Sequence, residues 1–413
     1  MAERNWAGNL TYSARRLHRP TSIAQLQELI ASSERIRVLG SRHSFNAIAD
    51  GDELVSLRGL PTELQLDGAA ATATCGAGAT YGELAPALHA GGVALANLGS
   101  LPQISVGGAI ATATHGSGDR LGNLATSVAG LELVTSSGEL LQLRRGDPDF
   151  DGAVVGLGAL GAVTRVTLDV EPTYEVTQRV YEQLPWRAID EHFDELSAAG
   201  DSVSVFTLWG EQAGALWVKR RAGAHASAID ELLGARAAAG ARHPIAGADP
   251  AACTPQLGVP GPWHERLPHF RLDFTPSAGA ELQSEYLLDR RDARAAIEAM
   301  RALGPRIRPL LHVSEIRTIA ADTLWMSPQY GRDSVAIHFT WKPDQDAVER
   351  LLASVEDALG PFAPRPHWGK VFLTSPAAIA ARYERLRDFT ELLGRVDPRG
   401  AFRNEWLERR VLG

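Results

Sequence analysis

The sequence predicts an α+β fold with two domains, and three observations support this prediction. Short helical patterns alternate with short strand patterns over residues 20–172, without the long βαβ units of a doubly wound fold. The pattern changes after Glu171-Pro172, beyond which strand patterns outnumber helices. Neither an internal repeat nor a flexible linker separates the two parts, so we expect the domains to pack firmly against each other.

Capping residues mark the predicted helices of the first domain. Ser22 and Gln25 have the spacing of a capping box ahead of a helical apolar pattern, and Thr80 and Glu83 repeat it. Gly91 then ends the second helix, because glycine readily adopts the conformations that follow a helix. The strands predicted in this domain are 36–39, 71–75, 129–135, 140–143 and 161–170.

The second part of the chain combines longer strand patterns with amphipathic helices. Strand patterns around one helix are predicted over 174–220. Further strands are predicted at 270–274, 281–287, 307–319, 334–341 and 368–373, and further helices at 227–239, 291–303 and 344–359. Two more helices lead to a turn at Asp397, after which we expect Phe402 and Asn404 to dock the tail back on the first domain.

The composition is that of an ordinary globular protein, and it argues against several classes of partner. The 413 residues are 45% apolar and 22% charged, and the net charge of −8 disfavours nucleic acid and anionic membrane surfaces. No apolar run approaches the roughly 18 residues of a membrane span, and the N-terminus lacks a secretory signal pattern. Cys75 and Cys253 are too few for a disulfide framework or a cysteine zinc site, and no metal is predicted. We therefore expect a cytoplasmic, monomeric protein.

Two glycine-containing loops, each with a histidine, predict a tightly held cofactor that carries phosphate. The first, VLGSRHSFN at 38–46, follows a strand pattern, and its consecutive backbone N–H groups at 40–44 are able to cup a pyrophosphate. On its own it equally fits a tight turn with a hydrogen-bonded histidine, and the Rossmann fingerprint is absent. The second, GSLPQISVGGAIATATHGSG at 99–118, contains a Gly-Gly pair that allows close backbone approach. A third opening, before a strand, contains Gly156, Gly158 and Gly161.

Alternating patterns place polar side chains on one face of two predicted strands. In the strand SVAIHFTW every second residue is apolar, which puts His338 and Thr340 on the opposite face. Glu315 and Arg317 share a face of the preceding strand by the same rule, and Lys370 follows a Trp-Gly pair farther along the chain. If these faces meet, the side chains form either a buried ion-pair network or a site for a polar ligand, because buried charges need partners.

Motifs along nearly the whole chain are similar to those of a known family. They are NWAGN, LGSRHSFN, NLGSLPQISVGGAIATATHGSG, GALGAVTRVTLDVEP, PGPWHERLPHFR, ELQSEYL, SEIRT, HFTW, RPHWGK and DPRGAFRN. The first ones resemble the FAD-binding domain of the vanillyl-alcohol oxidase superfamily, and the later, narrower ones resemble its alditol oxidase and xylitol oxidase branch. The resemblance implies an FAD-binding domain at 1–172, completed by 373–413, and a substrate or cap domain at 173–372 with a large antiparallel sheet.

The resemblance implies that FAD is attached covalently, through a bond from the imidazole of His43 to the flavin 8α-methyl group. It also implies that the rest of the cofactor is held by Gly40, Ser41, Arg42, Ser44, Ser100, Ser105, Gly108, Thr112, Ala113, Thr114, His115 and the backbone near Val163. Many relatives have glycine before the histidine, so Arg42 changes the backbone freedom of this turn. The second loop contains no cysteine, which excludes the second, cysteinyl flavin link that some relatives have.

The resemblance further implies that a polyol substrate is bound by Ser100, Glu315, Arg317, Thr340 and Lys370. The implied reaction oxidises the terminal primary hydroxyl of an alditol, with xylitol and sorbitol as the expected substrates, and reduces O₂ to H₂O₂. Lys370 and Arg317 would stabilise the developing alkoxide, since fixed positive charge is most effective in a dry site. The proton acceptor is either Lys370, if desolvation leaves it neutral, or His338. Gly99 has no side chain to block O₂, which favours an oxidase over a dehydrogenase.

Three other functions are consistent with parts of this pattern. An aldonolactone oxidase or dehydrogenase would keep the fold and change the substrate. A carbohydrate-binding protein would keep the fold without catalysis, and would be colourless and consume no O₂. An FMN- or nicotinamide-dependent enzyme is disfavoured by the missing Rossmann motif and by His43.

Overall fold

The computed structural model describes residues 3–223 and 230–413, and it has the α+β architecture predicted from the sequence. The helices are α1 Ile23–Ser32, α2 Tyr81–Ala90, α3 Val106–Ala111, α4 Phe150–Val154, α5 Trp186–Ser197, α6 Ala293–Ala302, α7 Gly304–Ile307, α8 Gln345–Leu359, α9 Pro376–Arg382, α10 Leu386–Val396 and α11 Glu405–Leu407. Within the described ranges, no helix is both long enough and apolar enough to cross a membrane.

The strands fall into two larger and two smaller sheets. They are β1 Arg16–His18, β2 Arg37–Val38, β3 Glu53–Val55, β4 Gln65–Asp67, β5 Thr72–Gly76, β6 Val93–Ala94, β7 Val128–Val134, β8 Leu140–Arg144, β9 Ala162–Asp169, β10 Glu171–Pro172, β11 Glu175–Leu184, β12 Ser202–Thr207, β13 Gly214–Arg221, β14 Glu231–Leu232, β15 Ala235–Ala237, β16 Gly261–Pro262, β17 Leu282–Asp289, β18 Leu311–Ile319, β19 Ser334–Trp341 and β20 Arg365–Pro366. β1, β3 and β2 form a small parallel sheet, and β6 pairs with β10.

The first domain is built around an antiparallel sheet with the strand order β4-β5-β9-β7-β8. In β9 every second residue is buried, which is the pattern of a strand with one face on the core. Leu26 and Ile30 of α1 pack in a buried cluster with Val134 of β7 and Phe402 of the C-terminal tail. The amphipathic pattern of α1 therefore buries its apolar stripe between this sheet and the tail.

The predicted helix starts of the first domain are confirmed by their capping hydrogen bonds. Ser22 Oγ accepts from the backbone N–H of Gln25 at 3.3 Å, at the start of α1. At the start of α2 the capping box is complete: Thr80 Oγ1 accepts from the N–H of Glu83 at 3.2 Å, and Glu83 Oε2 accepts from the N–H of Thr80 at 2.8 Å. Each cap satisfies backbone donors that have no partner inside the helix.

The second large sheet has ten strands among the described residues, with β12, β18, β19 and β17 adjacent at its centre. All the central pairs are antiparallel. Ile337, Phe339 and Trp341 of β19 lie in the apolar core, where the rings of Phe339 and Trp341 stack at 4.8 Å. Val348 and Leu352 of α8 lie in the same core. The alternate residues of β19 therefore point to the opposite face of the sheet, as the period-two pattern predicts.

The C-terminal tail returns to the first domain. The carboxylate of Asp397 accepts from the backbone N–H groups of Ala401 and Phe402, at 2.9 Å each. The buried guanidinium of Arg37 donates to the carbonyl of Phe402 at 2.6 Å, and Asn404 Nδ2 donates to the carbonyl of Asp50 at 2.7 Å. The tail is thus tied to both sides of the first glycine-containing loop.

The strand predicted at 270–274 is wrong. The side-chain amide of Gln103 donates to the carbonyls of Arg271 and Leu272 at 3.3 and 3.1 Å. These backbone groups therefore find a side-chain partner instead of a neighbouring strand, and the segment forms turns.

The strand predicted at 368–373 is also wrong, because its first half forms a turn. The pairing strand is the shorter and earlier β20, which lies beside β17. The N–H of Lys370 donates to the carbonyl of His367 at 3.1 Å and closes the turn. This turn directs Lys370 into the pocket described below.

Two other predicted boundaries differ from the structure. The strand predicted at 307–319 begins only at Leu311, because Pro305 and Pro309 lie in α7 and in a 3₁₀ turn that precede it. The helix predicted at 227–239 lies partly outside the described residues. Its described part forms the hairpin β14–β15, whose turn has Leu233 and Gly234 at positive φ, 51° and 84°.

Candidate active site

A long pocket lies between the two glycine-containing loops and the polar face of the ten-stranded sheet. It encloses about 1400 Å³ of space, counting the solvent at its mouth. An adjoining cavity of about 830 Å³ shares Val38–Ser41, Ser105, Gly108 and Gly158 with it and extends to Gly161 and Val163. The three openings predicted from the glycine pattern therefore converge on one continuous space.

The imidazole of His43 is buried in the wall of this pocket. Neither ring nitrogen has a hydrogen-bond partner among the described residues. Burial lowers the pKa of His43 to about 4, so the ring is uncharged at neutral pH. The indole of Trp6 lies nearly parallel to the imidazole, with ring centroids 5.5 Å apart. Buried polar groups usually have a hydrogen-bond partner, so a bound molecule would supply the partner that this uncharged imidazole lacks.

The turn before His43 holds Arg42 in the left-handed region, at φ 67°. This conformation costs a residue with a side chain about 1 kcal/mol, and glycine would avoid the cost. Two contacts hold the turn in place: Arg42 Nη1 lies 2.5 Å from Glu3 Oε2, and the carbonyl of Arg42 accepts from the N–H of Trp6 at 2.9 Å. The N-terminal segment thus fixes a turn that the sequence alone marks as unusual.

The two glycine-containing loops touch each other through reciprocal serine contacts. The N–H of Ser105 donates to Ser41 Oγ at 3.0 Å, and the N–H of Ser41 donates to Ser105 Oγ at 3.3 Å. A Cβ atom on Gly40 would lie 2.6 Å from Ser105 Oγ, and one on Gly108 would lie 2.8 Å from it. A side chain at either position would displace Ser105 Oγ from its contact with Ser41, whereas the glycine backbones line the cavity with no side chain in the way.

Most of the predicted cofactor-binding residues line this continuous space. The larger pocket is lined by Gly40, Ser41, Arg42, His43, Ser44, Ser100, Ser105, Gly108, Thr112, Thr114 and His115, and the adjoining cavity by Val163. Ala113 differs, because its side chain is fully buried behind the wall and its backbone is at φ 51°. A space lined by the bare backbone of the glycine-containing loops, with a buried imidazole in its wall, suits a cofactor such as FAD.

On the sheet side, three ionisable residues stand in a row across adjacent strands. Glu315 of β18 is opposite His338 of β19, and His338 is opposite Glu285 of β17. Residues directly opposite each other in antiparallel strands share one face of the sheet. All three line the pocket, so the polar faces predicted from the strand patterns do meet there.

Glu285 is the centre of the ion pairs in this wall, and its side chain is completely buried. Its Oε1 accepts from Arg317 Nη2 at 2.8 Å and lies 3.2 Å from His115 Nε2, while its Oε2 lies 2.5 Å from Lys370 Nζ. Burial alone would raise the pKa of Glu285, but Lys370, Arg317 and His115 outweigh it and hold the pKa well below its usual value. Glu285 is therefore a permanent anion between two cations.

Arg317 and Lys370 are the two cations of this wall. Burial alone would lower the pKa of Arg317, but the carboxylates of Glu315 and Glu285 outweigh it and raise the pKa. For Lys370 burial prevails and lowers the pKa, although Glu285 opposes the shift. Lys370 Nζ also lies 2.9 Å from His338 Nδ1. Arg317 is thus a fixed charge, whereas Lys370 is able to exchange a proton with its neighbours.

The neutral groups of the wall complete the site. His338 Nε2 lies 3.1 Å from Thr340 Oγ1, and burial together with Lys370 lowers the pKa of His338 to about 4. Ser100 Oγ accepts from Arg317 Nη1 at 3.4 Å. The residues predicted to bind substrate, Ser100, Glu315, Arg317, Thr340 and Lys370, all line the pocket. An uncharged imidazole, hydroxyl groups and balanced charges suit a ligand with several hydroxyl groups.

Glu285 is not among the residues predicted from the sequence, and His115 is predicted only as a cofactor-binding residue. The sequence of β17 alternates less clearly than that of β19, because Ser284 shares a face with Tyr286 and Leu287 shares a face with Glu285. The available signal was a glutamate in the middle of a strand, which requires a partner. The ring of His115 contacts Glu285, so the second loop joins the ion pairs as well as the cofactor side of the pocket.

Comparisons with known proteins relate the chain to flavoenzymes. Residues 14–144 match the FAD binding domain family, and residues 280–410 match the D-arabinono-1,4-lactone oxidase family. The alditol oxidase of a Streptomyces species is 49% identical over 408 residues, which cover 98% of this chain and 97% of that protein. The L-gulono-1,4-lactone dehydrogenase of Mycobacterium tuberculosis is 29% identical over 429 residues, covering 99% and 98%.

Among solved structures, cholesterol oxidase from B. sterolicum superposes with a TM-score of 0.79 at 16% sequence identity, covering 98% of this chain and 96% of that one. A solvent-stable cholesterol oxidase gives a TM-score of 0.80 at 14% identity, covering 98% and 96%. At these identities the likeness shows a common fold.

Proposed function

Because the chain belongs to the alditol oxidase family of FAD-dependent oxidoreductases, within the vanillyl-alcohol oxidase superfamily, we propose that it oxidises the terminal primary hydroxyl of alditols such as xylitol and sorbitol. The products are the aldose and H₂O₂. The observation that carries this proposal is the wall in which Lys370 and Arg317 flank the buried carboxylate of Glu285. The more distant lactone enzymes, at 29% identity, make the alditol the preferred substrate class.

The proposed chemistry separates a hydride and a proton from one carbinol group. FAD held by the two glycine-containing loops would supply the acceptor for the hydride and the route of the two electrons to O₂. The protein must stabilise the hydroxyl oxygen as it loses its proton. Lys370 and Arg317 suit this role, because both cations are held in place by Glu285 before the substrate arrives.

The proton acceptor is proposed to be the Lys370–His338 pair. Their nitrogens are 2.9 Å apart, so a proton taken up by either group is shared with the other. His338 is uncharged at neutral pH, and burial lowers the pKa of Lys370. Both shifts favour the uncharged form, which has a lone pair for a proton, but the pKa near 4 makes His338 the weaker base of the pair.

The remaining pocket residues are proposed to hold the polyol chain. Glu315 accepts hydrogen bonds from hydroxyl groups, and its pKa lies well below its usual value because Arg317 and His269 outweigh the effect of burial. Ser100 and Thr340 add neutral partners.

Two buried cysteines without a disulfide agree with the cytoplasmic location expected from the sequence.

Purified holoenzyme is expected to form one H₂O₂ for each xylitol or sorbitol oxidised, with the aldose as product. Peroxide and sugar are measured in the same assay, with L-gulono-1,4-lactone and D-arabinono-1,4-lactone as competing substrates. A kcat/KM at least tenfold higher for a lactone would contradict the proposal and indicate an aldonolactone oxidase instead. The match of residues 280–410 to the D-arabinono-1,4-lactone oxidase family favours that alternative. Turnover only with an artificial acceptor would instead indicate a dehydrogenase.

His43 is proposed to carry the covalent bond to FAD. We expect wild-type protein precipitated with acid to keep its yellow, fluorescent flavin in the pellet, and H43A to release all of it into the supernatant. The reason is that His43 is a buried, uncharged imidazole with both nitrogens unpartnered among the described residues. His264, at the partly buried 3₁₀ turn Trp263–Glu265, provides the control: H264A should retain the flavin in the pellet. Release of flavin from the wild type would refute the linkage.

A further inference from the structure

A buried lysine lies behind the pocket wall, outside the site described so far. The chain has 41 lysine and arginine residues, of which only Lys219, Lys342 and Lys370 are lysine. Lys370 is in the pocket, and Lys342 is exposed at the surface. Lys219 of β13 is 1% exposed and does not line the pocket. Burying an ammonium group costs free energy unless hydrogen bonds to its partners offset the loss of its hydration.

Three acceptors surround the amino group of Lys219. Its Nζ donates to the carbonyl of Leu267, lies 3.1 Å from the carbonyl of Pro268, and lies 3.2 Å from His269 Nδ1. An ammonium group has three N–H donors, so these contacts satisfy it completely. The bulkier guanidinium of arginine presents five donors in a planar fork and does not match this arrangement.

His269 connects this lysine to the proposed substrate residues. Its Nε2 lies 3.0 Å from Glu315 Oε1, and its backbone N–H donates to the carbonyl of Ser100 at 3.1 Å. The imidazole is clamped edge-to-face by Phe206 and Trp217, with centroids 5.3 and 5.4 Å away. The ring therefore has one available orientation, and only its proton is left to be assigned.

The contact with Lys219 decides where that proton lies. If the ammonium donates to Nδ1, the proton of a neutral ring must be on Nε2, and Nε2–H then donates to Glu315. Burial and Lys219 lower the pKa of His269 to about 4, which keeps the ring neutral. If Nδ1 carried the proton instead, the lone pair of Nε2 would face the carboxylate of Glu315, and the contact would become repulsive.

We propose that Lys219 is a positioning residue for substrate recognition, which fixes the Nε2–H tautomer of His269 and so holds Glu315 ready to accept hydroxyl groups of the polyol. This inference rests on the proposed role of Glu315 in binding. His269 already occupies Oε1 of Glu315, and the hydrogen bonds among the described residues leave Oε2 available. Lys219 acts through His269 and touches neither cofactor space nor substrate space.

The first test is the effect of Lys219→Met on the two kinetic constants for xylitol, measured at pH 6. Burial lowers the pKa of Lys219 to about 7, with Glu315 and Cys253 opposing and Arg317 assisting the shift, so at pH 6 the wild-type amine is protonated. We expect a KM about 10- to 100-fold higher, the fold-change that corresponds to one lost hydrogen bond to a charged group. The kcat should stay within about threefold, because the proposed role of Glu315 is to bind hydroxyl groups of the chain and not to take part in the proton transfer. Lys342→Met is the matched control and should change neither constant.

A second variant separates positioning from simple packing. The side-chain amide of glutamine donates from the place of Nε2 and has no tautomer, so H269Q gives Glu315 a donor that does not depend on Lys219. In the H269Q background we expect K219M to raise KM by less than about threefold beyond H269Q itself. An equal effect of K219M in both backgrounds would overturn the proposal, because Lys219 would then act independently of His269.

The tautomer is measured directly by ¹⁵N NMR of histidine-labelled wild-type holoenzyme, with the His269 signals assigned by their loss in H269Q. The Nε2–H form is the expected result, and the Nδ1–H form would contradict the proposal even if K219M does not fold. This measurement needs no substrate. Wild-type protein that shows the Nε2–H form but does not oxidise any alditol would refute the proposed function and leave the tautomer assignment intact.

Discussion

Replacing Lys370 with methionine is expected to lower kcat for xylitol by about 10²- to 10⁴-fold. The substitution removes a cation that faces the pocket and one half of the pair that takes up the proton. Methionine has a similar length and no charge, so the wall keeps its shape while Glu285 loses its closest partner, at 2.5 Å. Anaerobic reduction of the flavin by xylitol, followed at 450 nm, measures the chemical step without interference from the reaction with O₂.

Two comparisons make this experiment decisive. Lys342→Met removes an exposed lysine whose contact is the carbonyl of Pro309, and its kcat should equal that of the wild type. Lys370→Arg restores a positive charge without a group that readily gives up its proton, and should recover only part of the rate. If K370M reduced its flavin at the wild-type rate, Lys370 would have no part in the chemistry.

Glu285→Gln is expected to lower kcat/KM for xylitol by at least about 10²-fold and to reduce the melting temperature of the holoenzyme. Glutamine keeps the shape of the side chain, but it leaves Lys370 without its ion-pair partner and Arg317 with Glu315 as its remaining carboxylate neighbour. Breaking one side of a buried ion pair costs about 3–5 kcal/mol, because the remaining charge is uncompensated. Initial rates and thermal unfolding of the same preparation measure the two effects.

For the same variant, the direction in which the pH–rate profile shifts is also predicted. Glu285 raises the pKa values of both Lys370 and His338, so its replacement by a neutral amide lowers both. The limb of the pH–rate profile that these groups control should therefore move to lower pH. Glu281→Gln is the control, because Glu281 is also buried but does not line the pocket. A profile that is unchanged in E285Q would show that Glu285 does not set the charge of its neighbours.

The parts of the site that the sequence predicted are those governed by local geometry. The alternation in β19 correctly separated His338 and Thr340 from the core side of the strand, because a strand has period two wherever one face is buried in apolar residues. Glu315 and Arg317 follow the same rule in β18. The two loops of the pocket were found from their glycines, and a side chain at Gly40 would meet Ser105 Oγ, which joins the two loops.

The parts that were missed depend on which distant segments meet. Glu285 lies in a strand whose two faces both mix apolar and polar residues, so its sequence pattern does not distinguish the pocket side. Lys219 stands at the end of a strand next to two arginines and looks exposed in the sequence. It is buried because the segment around His269, some fifty positions later, covers it. The false strand at 270–274 arises in the same way, from a contact with Gln103 that no local pattern encodes.

The hydrogen bond from Arg37 to the carbonyl of Phe402 joins residues 365 positions apart, and this separation affects when the first loop is completed during synthesis. A nascent chain on the ribosome displays the imidazole of His43 early, while the segment that steadies the neighbouring loop has not yet been translated. Contacts of such long range also close late in folding, because the intervening chain must first be ordered. The loop that carries His43 is accordingly expected to reach its final conformation only after the C-terminal segment has been synthesised.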